Sequence, residues 1–168
     1  MNIISCPSPN FNDRPSSAVV DTVVIHYTDM ENAIISLERL CDPKTEVSAH
    51  YLIDTDGLIY QLVDEGKRAW HAGVSCWNEK DNVNNFSIGI ELQNHGYNYF
   101  LLHKEWPLYP LAQMQALVLL LTALEKRHSI EYILGHSDVS PGRKQDPGPH
   151  FDWKWLAERG FDKRVSVK

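Results

Sequence analysis

Eight histidines stand out in a chain of 168 residues, and histidine is the side chain that most often binds metals and moves protons near neutral pH. Two of them fall where strand-like runs end. His26 closes Thr22-Val23-Val24-Ile25, and His136 follows Glu131-Tyr132-Ile133-Leu134-Gly135. Asp146 comes directly before Pro147, a position held extended, and Pro147-Gly148-Pro149 stiffens the loop further. Two histidines and one carboxylate with an open fourth position make a recurring catalytic zinc set. These three are far apart in the chain, and no H-E-x-x-H helix links any pair. On spacing alone, surface or core histidines and ordinary loop rigidity are the plainer account. Glu91 is a candidate of another kind. In Phe86–Leu92 the apolar Phe86, Ile88, Ile90 and Leu92 share one face, and Ser87, Gly89 and Glu91 share the other. Glu91 is thus aimed away from the core side, where it could exchange protons or simply meet solvent.

The elements that must position these residues follow from periodicity and turn chemistry. Thr22–Tyr27 reads as a buried strand. Glu31–Cys41 reads as a helix ended by Asp42-Pro43. Val47–Ile53 and Leu58–Val63 read as strands joined by Asp54-Thr55-Asp56-Gly57, a hairpin signal. Residues 64–85 are polar and turn-rich. A helix from Pro110 to about His128 carries the stripe Leu111, Met114, Leu117, Val118, Leu121, Leu124 at helical spacing. Glu131–Leu134 is a short strand, and Trp153–Arg159 a last helix stopped by Gly160. Residues 1–18, with Pro7, Pro9 and Pro15, read as an extended arm packed on one domain over residues 19–168. Strands and helices are interspersed, which predicts an α/β sheet with packed helices.

Length and composition fit one soluble domain, with 43% hydrophobic and 23% charged residues. Sixteen Lys+Arg against 22 Asp+Glu give a net charge of −6 with no basic block, which argues against a nucleic-acid partner. No stretch reaches the ~18 apolar residues of a membrane span. Three cysteines, none in a C-x-x-C, argue against a disulfide scaffold and a thiolate zinc site. The opening Met1-Asn2-Ile3-Ile4-Ser5-Cys6 lacks the charged and apolar regions of a signal peptide, although Ile3–Cys6 resembles the tail of a lipoprotein box. A cytoplasmic monomer is the expectation, with the cell envelope as the alternative compartment.

Six segments, in order, resemble the zinc-dependent type 2 N-acetylmuramoyl-L-alanine amidases. They are Val24-Ile25-His26-Tyr27-Thr28, Val47-Ser48-Ala49-His50-Tyr51-Leu52-Ile53, Arg68-Ala69-Trp70-His71-Ala72-Gly73-Val74-Ser75, Ser87-Ile88-Gly89-Ile90-Glu91-Leu92, Gly135-His136-Ser137-Asp138-Val139, and Gly142-Arg143-Lys144-Gln145-Asp146-Pro147-Gly148-Pro149. Phe151-Asp152-Trp153 completes the match, which spans nearly the whole chain. The resemblance implies a peptidoglycan-recognition-protein-like fold: a single α/β domain, its central mixed sheet flanked by helices, with a zinc cleft at the strand ends. It implies His26, His136 and Asp146 as zinc ligands, Glu91 as acid/base and Lys144 as a second positive group beside the developing oxyanion. The implied reaction is hydrolysis of the amide between N-acetylmuramic acid, or its 1,6-anhydro form, and L-alanine of the stem peptide.

Tyr27, His50, Trp70, His71 and Asn94 are softer, substrate-binding candidates, and of these Trp70 and His71 lie in a segment that lines the muropeptide groove in relatives. Trp70 can stack on a sugar face or be structural, and His71 lies beside it. Tyr27 can border the metal or pack in the sheet. His50 can orient a ligand or fill space, and Asn94 can bind peptide or cap a turn. His95, His103, His128 and His150 match no catalytic position and are expected at the surface. The short span between His26 and His50 resembles the broader-specificity envelope branch, whereas the absent signal peptide points to cytoplasmic recycling. Two other functions share the fold: a non-catalytic peptidoglycan-binding module, and a zinc endopeptidase acting within the stem peptide.

Overall fold

Thr22–Tyr27, a run dominated by β-branched and aromatic residues, forms an interior strand of the sheet, one place in from an edge. The computed structural model describes residues 2–162. In chain order the strands are β1 (Ile3–Ser5), β2 (Phe11–Asp13), β3 (Thr22–Tyr27), β4 (Tyr51–Ile53), β5 (Ile59–Gln61), β6 (Lys67–Ala69), β7 (Cys76–Trp77), β8 (Lys80–Asp81), β9 (Ser87–Leu92) and β10 (Tyr132–Gly135). The helices are α1 (Ala33–Cys41), α2 (Gly96–His103), α3 (Leu111–Arg127), α4 (His136–Val139) and α5 (Trp153–Leu156). Six strands lie side by side in the order β1-β5-β4-β9-β3-β10. β4, β9, β3 and β10 run parallel to their neighbours among themselves, and β4–β5 is antiparallel, so the sheet is mixed. The architecture is α/β, a central mixed sheet flanked by helices.

β3 and β9 are covered on both faces. On one, α3 lays Met114, Leu117, Leu121 and Leu124 over Val23, Ile25, Ile88 and Ile90. The other face is closed by Ala72, Val83 and Val139 against Val24 and Leu134. The buried stripe of α3 is rotated from the expected one. Leu111 is exposed and Val118 only partly buried, whereas Gln113, Ala116 and Leu120 turn inward. Gln113 is accommodated because its Nε2 donates 2.9 Å bonds to the carbonyls of Ile53 and Gln93, tying the helix to the ends of β4 and β9. The alternation of β9 predicts a solvent-facing polar side. Instead the ring of His71 lies over Gly89 and meets Ser87, and Glu91 alone of the three opens into a cleft.

Residues 2–18 take part in the fold through two strands and one anchoring side chain. β1 forms the sheet edge beside β5, and β2 pairs with β6. Arg14 donates from its guanidinium to the carbonyls of Glu65, Asn84, Asn85 and Ser87 at 2.8–3.1 Å. Other boundaries move by a few residues. α1 starts at Ala33, behind the Asn32 side chain that caps it. The hairpin strands are shorter than their apolar runs. Helix α5 ends at Leu156 and passes into a wider turn in which Arg159 and Gly160 leave helical geometry. Helix α2 answers no feature read from the sequence. The end of the expected domain, at residue 168, lies outside the described residues. Among the described residues, no helix is long and apolar enough to cross a membrane.

Candidate active site

Parallel strands deliver their carboxyl ends to one edge of a sheet, where α/β proteins place their sites. His26 is the penultimate residue of β3, and its register partner on β9 is Glu91. β10 ends at Gly135, and His136 opens α4 directly behind it. Asp146 arrives on the following loop, which Ser137 anchors by donating its backbone N–H to the Asp146 carbonyl at 3.0 Å.

Three ligand atoms converge there. His26 Nδ1 lies 3.0 Å from His136 Nδ1 and 2.9 Å from Asp146 Oδ2, and His136 Nδ1 lies 3.0 Å from that same oxygen. All three residues are buried. The other nitrogen of His136, Nε2, sits 3.0 Å from the carbonyl of Ala72. A carbonyl only accepts, so Nε2 donates there and Nδ1 is the nitrogen turned toward the triangle. Burial, reinforced by His136, lowers the His26 pKa to about 4, so at neutral pH the His26 ring is uncharged. Two imidazole nitrogens and a carboxylate oxygen, aimed at one point, are the donor set of a metal site, and they fit a cation such as zinc.

A cleft of about 500 Å³ opens over this triangle. Tyr27, Trp70, Glu91 and Lys144 line it together with the three metal-facing residues. Glu91 Oε2 is buried without a hydrogen-bond partner among the described residues, and burial together with the Asp146 charge raises its pKa well above the ordinary value. A carboxyl so placed keeps its proton to higher pH than an exposed carboxyl does, and a positive charge nearby favours its release. Of the residues singled out in the sequence, the fold brings His26, Tyr27, Trp70, Glu91, His136, Lys144 and Asp146 to the cleft wall. His71 reaches the same place but lies behind His26, largely buried.

His50 and Asn94 are not brought to the cleft. His50 is fully buried, its Nδ1 accepting from the Gly89 N–H at 3.0 Å and its Nε2 donating to the Lys67 carbonyl at 3.1 Å. Asn94 donates to the Leu108 carbonyl and accepts from the Gly96 N–H, a turn-holding role. The sequence reading missed Arg143, whose Nη2 donates to the carbonyls of Ala72 and Val74 and so holds the loop beside the metal-facing residues. Its place directly before Lys144 was the one signal it gave.

Residues 15–149 match the model of the N-acetylmuramoyl-L-alanine amidase family, a span containing every residue of the cleft named above. The chain belongs to the N-acetylmuramoyl-L-alanine amidase family. Among relatives in this amidase family, N-acetylmuramoyl-L-alanine amidase AmiD of Escherichia coli K12 is 39% identical over 151 residues, covering 84% of this chain. The chain spans only 54% of AmiD's own length. The 1,6-anhydro-N-acetylmuramyl-L-alanine amidase AmpD of Haemophilus influenzae is 34% identical over 164 residues, covering 88% of this chain and 86% of AmpD. Among solved structures, E. coli AmiD in complex with the substrate anhydro-N-acetylmuramic acid-L-Ala-D-gamma-Glu-L-Lys superposes with a TM-score of 0.78 at 34% identity. That match covers 91% of this chain and 66% of the other.

Proposed function

We propose that this amidase-family chain hydrolyses the amide joining N-acetylmuramic acid, or its 1,6-anhydro form, to L-alanine of peptidoglycan stem peptides. The observation that carries this reading is the convergence of His26 Nδ1, His136 Nδ1 and Asp146 Oδ2 in one cleft with Glu91, whose Oε2 has no hydrogen-bond partner among the described residues. An amide resists hydrolysis because its carbonyl is weakly electrophilic and its amine leaves poorly. His26, His136 and Asp146 would hold zinc, which when bound would supply the Lewis acidity that the first difficulty calls for and a water whose pKa is lowered toward ~7.

Glu91 answers the second difficulty. Its carboxylate accepts the proton of the attacking water and returns it to the departing L-alanine nitrogen. Lys144, exposed on the cleft rim, sets a positive charge beside the carbonyl oxygen as negative charge develops on it. Trp70 and Tyr27 offer aromatic faces on which a sugar ring can stack. The setting we propose is muropeptide recycling in the cytoplasm. The three free thiols Cys6, Cys41 and Cys76 suit a reducing compartment.

The test incubates the protein with a disaccharide-peptide and with its 1,6-anhydro counterpart, each with and without chelator. Free peptide beginning with L-alanine, abolished by chelator, is expected, and the ratio of the two rates gives the substrate preference. Release of D-alanine or of a shortened glycopeptide would instead mark an endopeptidase. Binding without any product would mark a recognition module.

A further inference from the structure

His26 Nε2 lies 3.0 Å from His71 Nδ1, His71 Nε2 lies 3.1 Å from Ser87 Oγ, and Ser87 Oγ lies 2.7 Å from the carbonyl oxygen of Val83. The direction of this chain is fixed from its far end. A carbonyl has no proton to give, so the Ser87 hydroxyl spends its only proton on Val83 and can do nothing but accept from His71. His71 therefore carries its proton on Nε2 and presents a bare Nδ1 to His26. His26 must then donate from Nε2, which leaves its Nδ1 lone pair directed at His136 and Asp146.

We propose that His71 is a positioning residue that fixes the tautomer and ring orientation of His26, and that the His71–Ala72 dipeptide thereby presets both imidazole ligands of the metal site. The His71 ring acts on His26, and the Ala72 carbonyl, 3.0 Å from His136 Nε2, acts on the other ligand. The dipeptide is itself held in place. Asn84 Oδ1 accepts from the backbone N–H groups of His71 and Ala72 at 3.2 and 2.8 Å. Gly89 completes the arrangement, because a Cβ there would stand 2.4 Å from the His71 ring. This assigns His71 to the protein side of the site, in place of the substrate contact that its position next to Trp70 implied. The inference rests on the metal-site reading above, and its tests do not use the amidase reaction.

Long-range ¹H–¹⁵N spectra of the chelator-treated protein read the tautomer directly. His26 is expected to be protonated at Nε2. A proton on Nδ1 instead would overturn the proposal, whether or not the protein proves to be an amidase. Zinc affinity, measured by competition with a chromogenic chelator, reads the consequence. His71→Phe keeps a ring of similar size but removes the acceptor, and zinc binding is expected to weaken about 10–100-fold. His71→Asn returns an oxygen acceptor near the Nδ1 position and should recover most of that loss. A folded His71→Phe protein binding zinc within about twofold of the parent, or equal losses in the Phe and Asn variants, would reject the role. Should His71→Phe not fold, Ser87→Ala carries the test, because it removes the acceptor that orders His71. Ser87→Ala is expected to admit the Nδ1–H tautomer at His26, and an unchanged His26 spectrum with unchanged zinc affinity would reject the relay.

Discussion

His26 and Glu91 are register partners across the parallel β3–β9 pair, so the metal-facing imidazole and the carboxyl on the cleft wall stand on adjacent strands and on the same side of the sheet. Their separation is set by strand spacing and not by a loop, which makes the pair a rigid reference for the rest of the site.

Glu91→Gln keeps the shape of this side chain and removes its ability to take a proton. Zinc content and melting temperature should match the parent, while kcat on a muropeptide falls by about 10²–10⁴-fold. Turnover near the parent value, read by chromatography of released peptide, would remove Glu91 from proton transfer.

His26→Ala and Asp146→Ala each withdraw one of three converging ligand atoms. Elemental analysis should find about one zinc per chain in the parent and little in either purified variant, and added zinc should raise the melting temperature of the parent but not of the variants. One tightly held zinc per chain in either variant would take that residue out of the ligand set.

Gly89→Ala tests the close approach of His71 to β9. The new methyl has no room beneath the ring, and overpacking of this kind destabilises by about 1–3 kcal/mol. For a chain of this size the melting temperature should drop by about 2–12 °C. An unchanged melting temperature would mean that the ring moves aside freely.

Glu65 gives the fold a pH signature away from the cleft. Burial raises its carboxyl, but hydrogen bonds from Arg127, Tyr51 and His128 outweigh that and carry the pKa down to about 2. A carboxyl lowered on folding adds stability that is present above its ordinary pKa and lost as pH falls from about 4.5 through 2, here on the order of 2–3 kcal/mol. Denaturant titrations of the parent should show this acid loss. Glu65→Gln should be weaker at pH 7 and flatter below pH 4.5. Curves of equal steepness for the two proteins would contradict the linkage.

The parts of the fold legible in the sequence were those governed by local periodicity. Thr22–Tyr27 and Phe86–Leu92 announced themselves as strands, and Asp54–Gly57 as a turn, because each pattern repeats within a few residues. The metal triad was not legible from spacing. His26, His136 and Asp146 meet only after β3 and β10 have paired and the loop behind α4 has folded back, and it took the ordered family motifs to join them. His50 shows the opposite limit. Its motif neighbours suggested a place at the site, but the ring is consumed by the Gly89 N–H and the Lys67 carbonyl, partners no local pattern reveals. His128 likewise was expected at the surface and is partly buried against Glu65. Helix α2 left no trace because its residues, Gly96–His103, lack a clear apolar stripe.

The strand order also dictates when the site can exist during synthesis. β3 sits between β9 and β10, both made later, and His26 precedes Asp146 by 120 positions. On the ribosome the apolar β3 segment emerges long before either neighbour and must wait with its backbone unpaired, exposed to misassociation. Loop closure over such distances is slow. A metal held by this triad would therefore not guide the early steps of folding, since the third of its candidate ligands is translated 120 positions after the first. It would act as a latch on a sheet already assembled, and chains released before Asp146 emerges would bear the six sheet strands without the carboxylate that completes the ligand set.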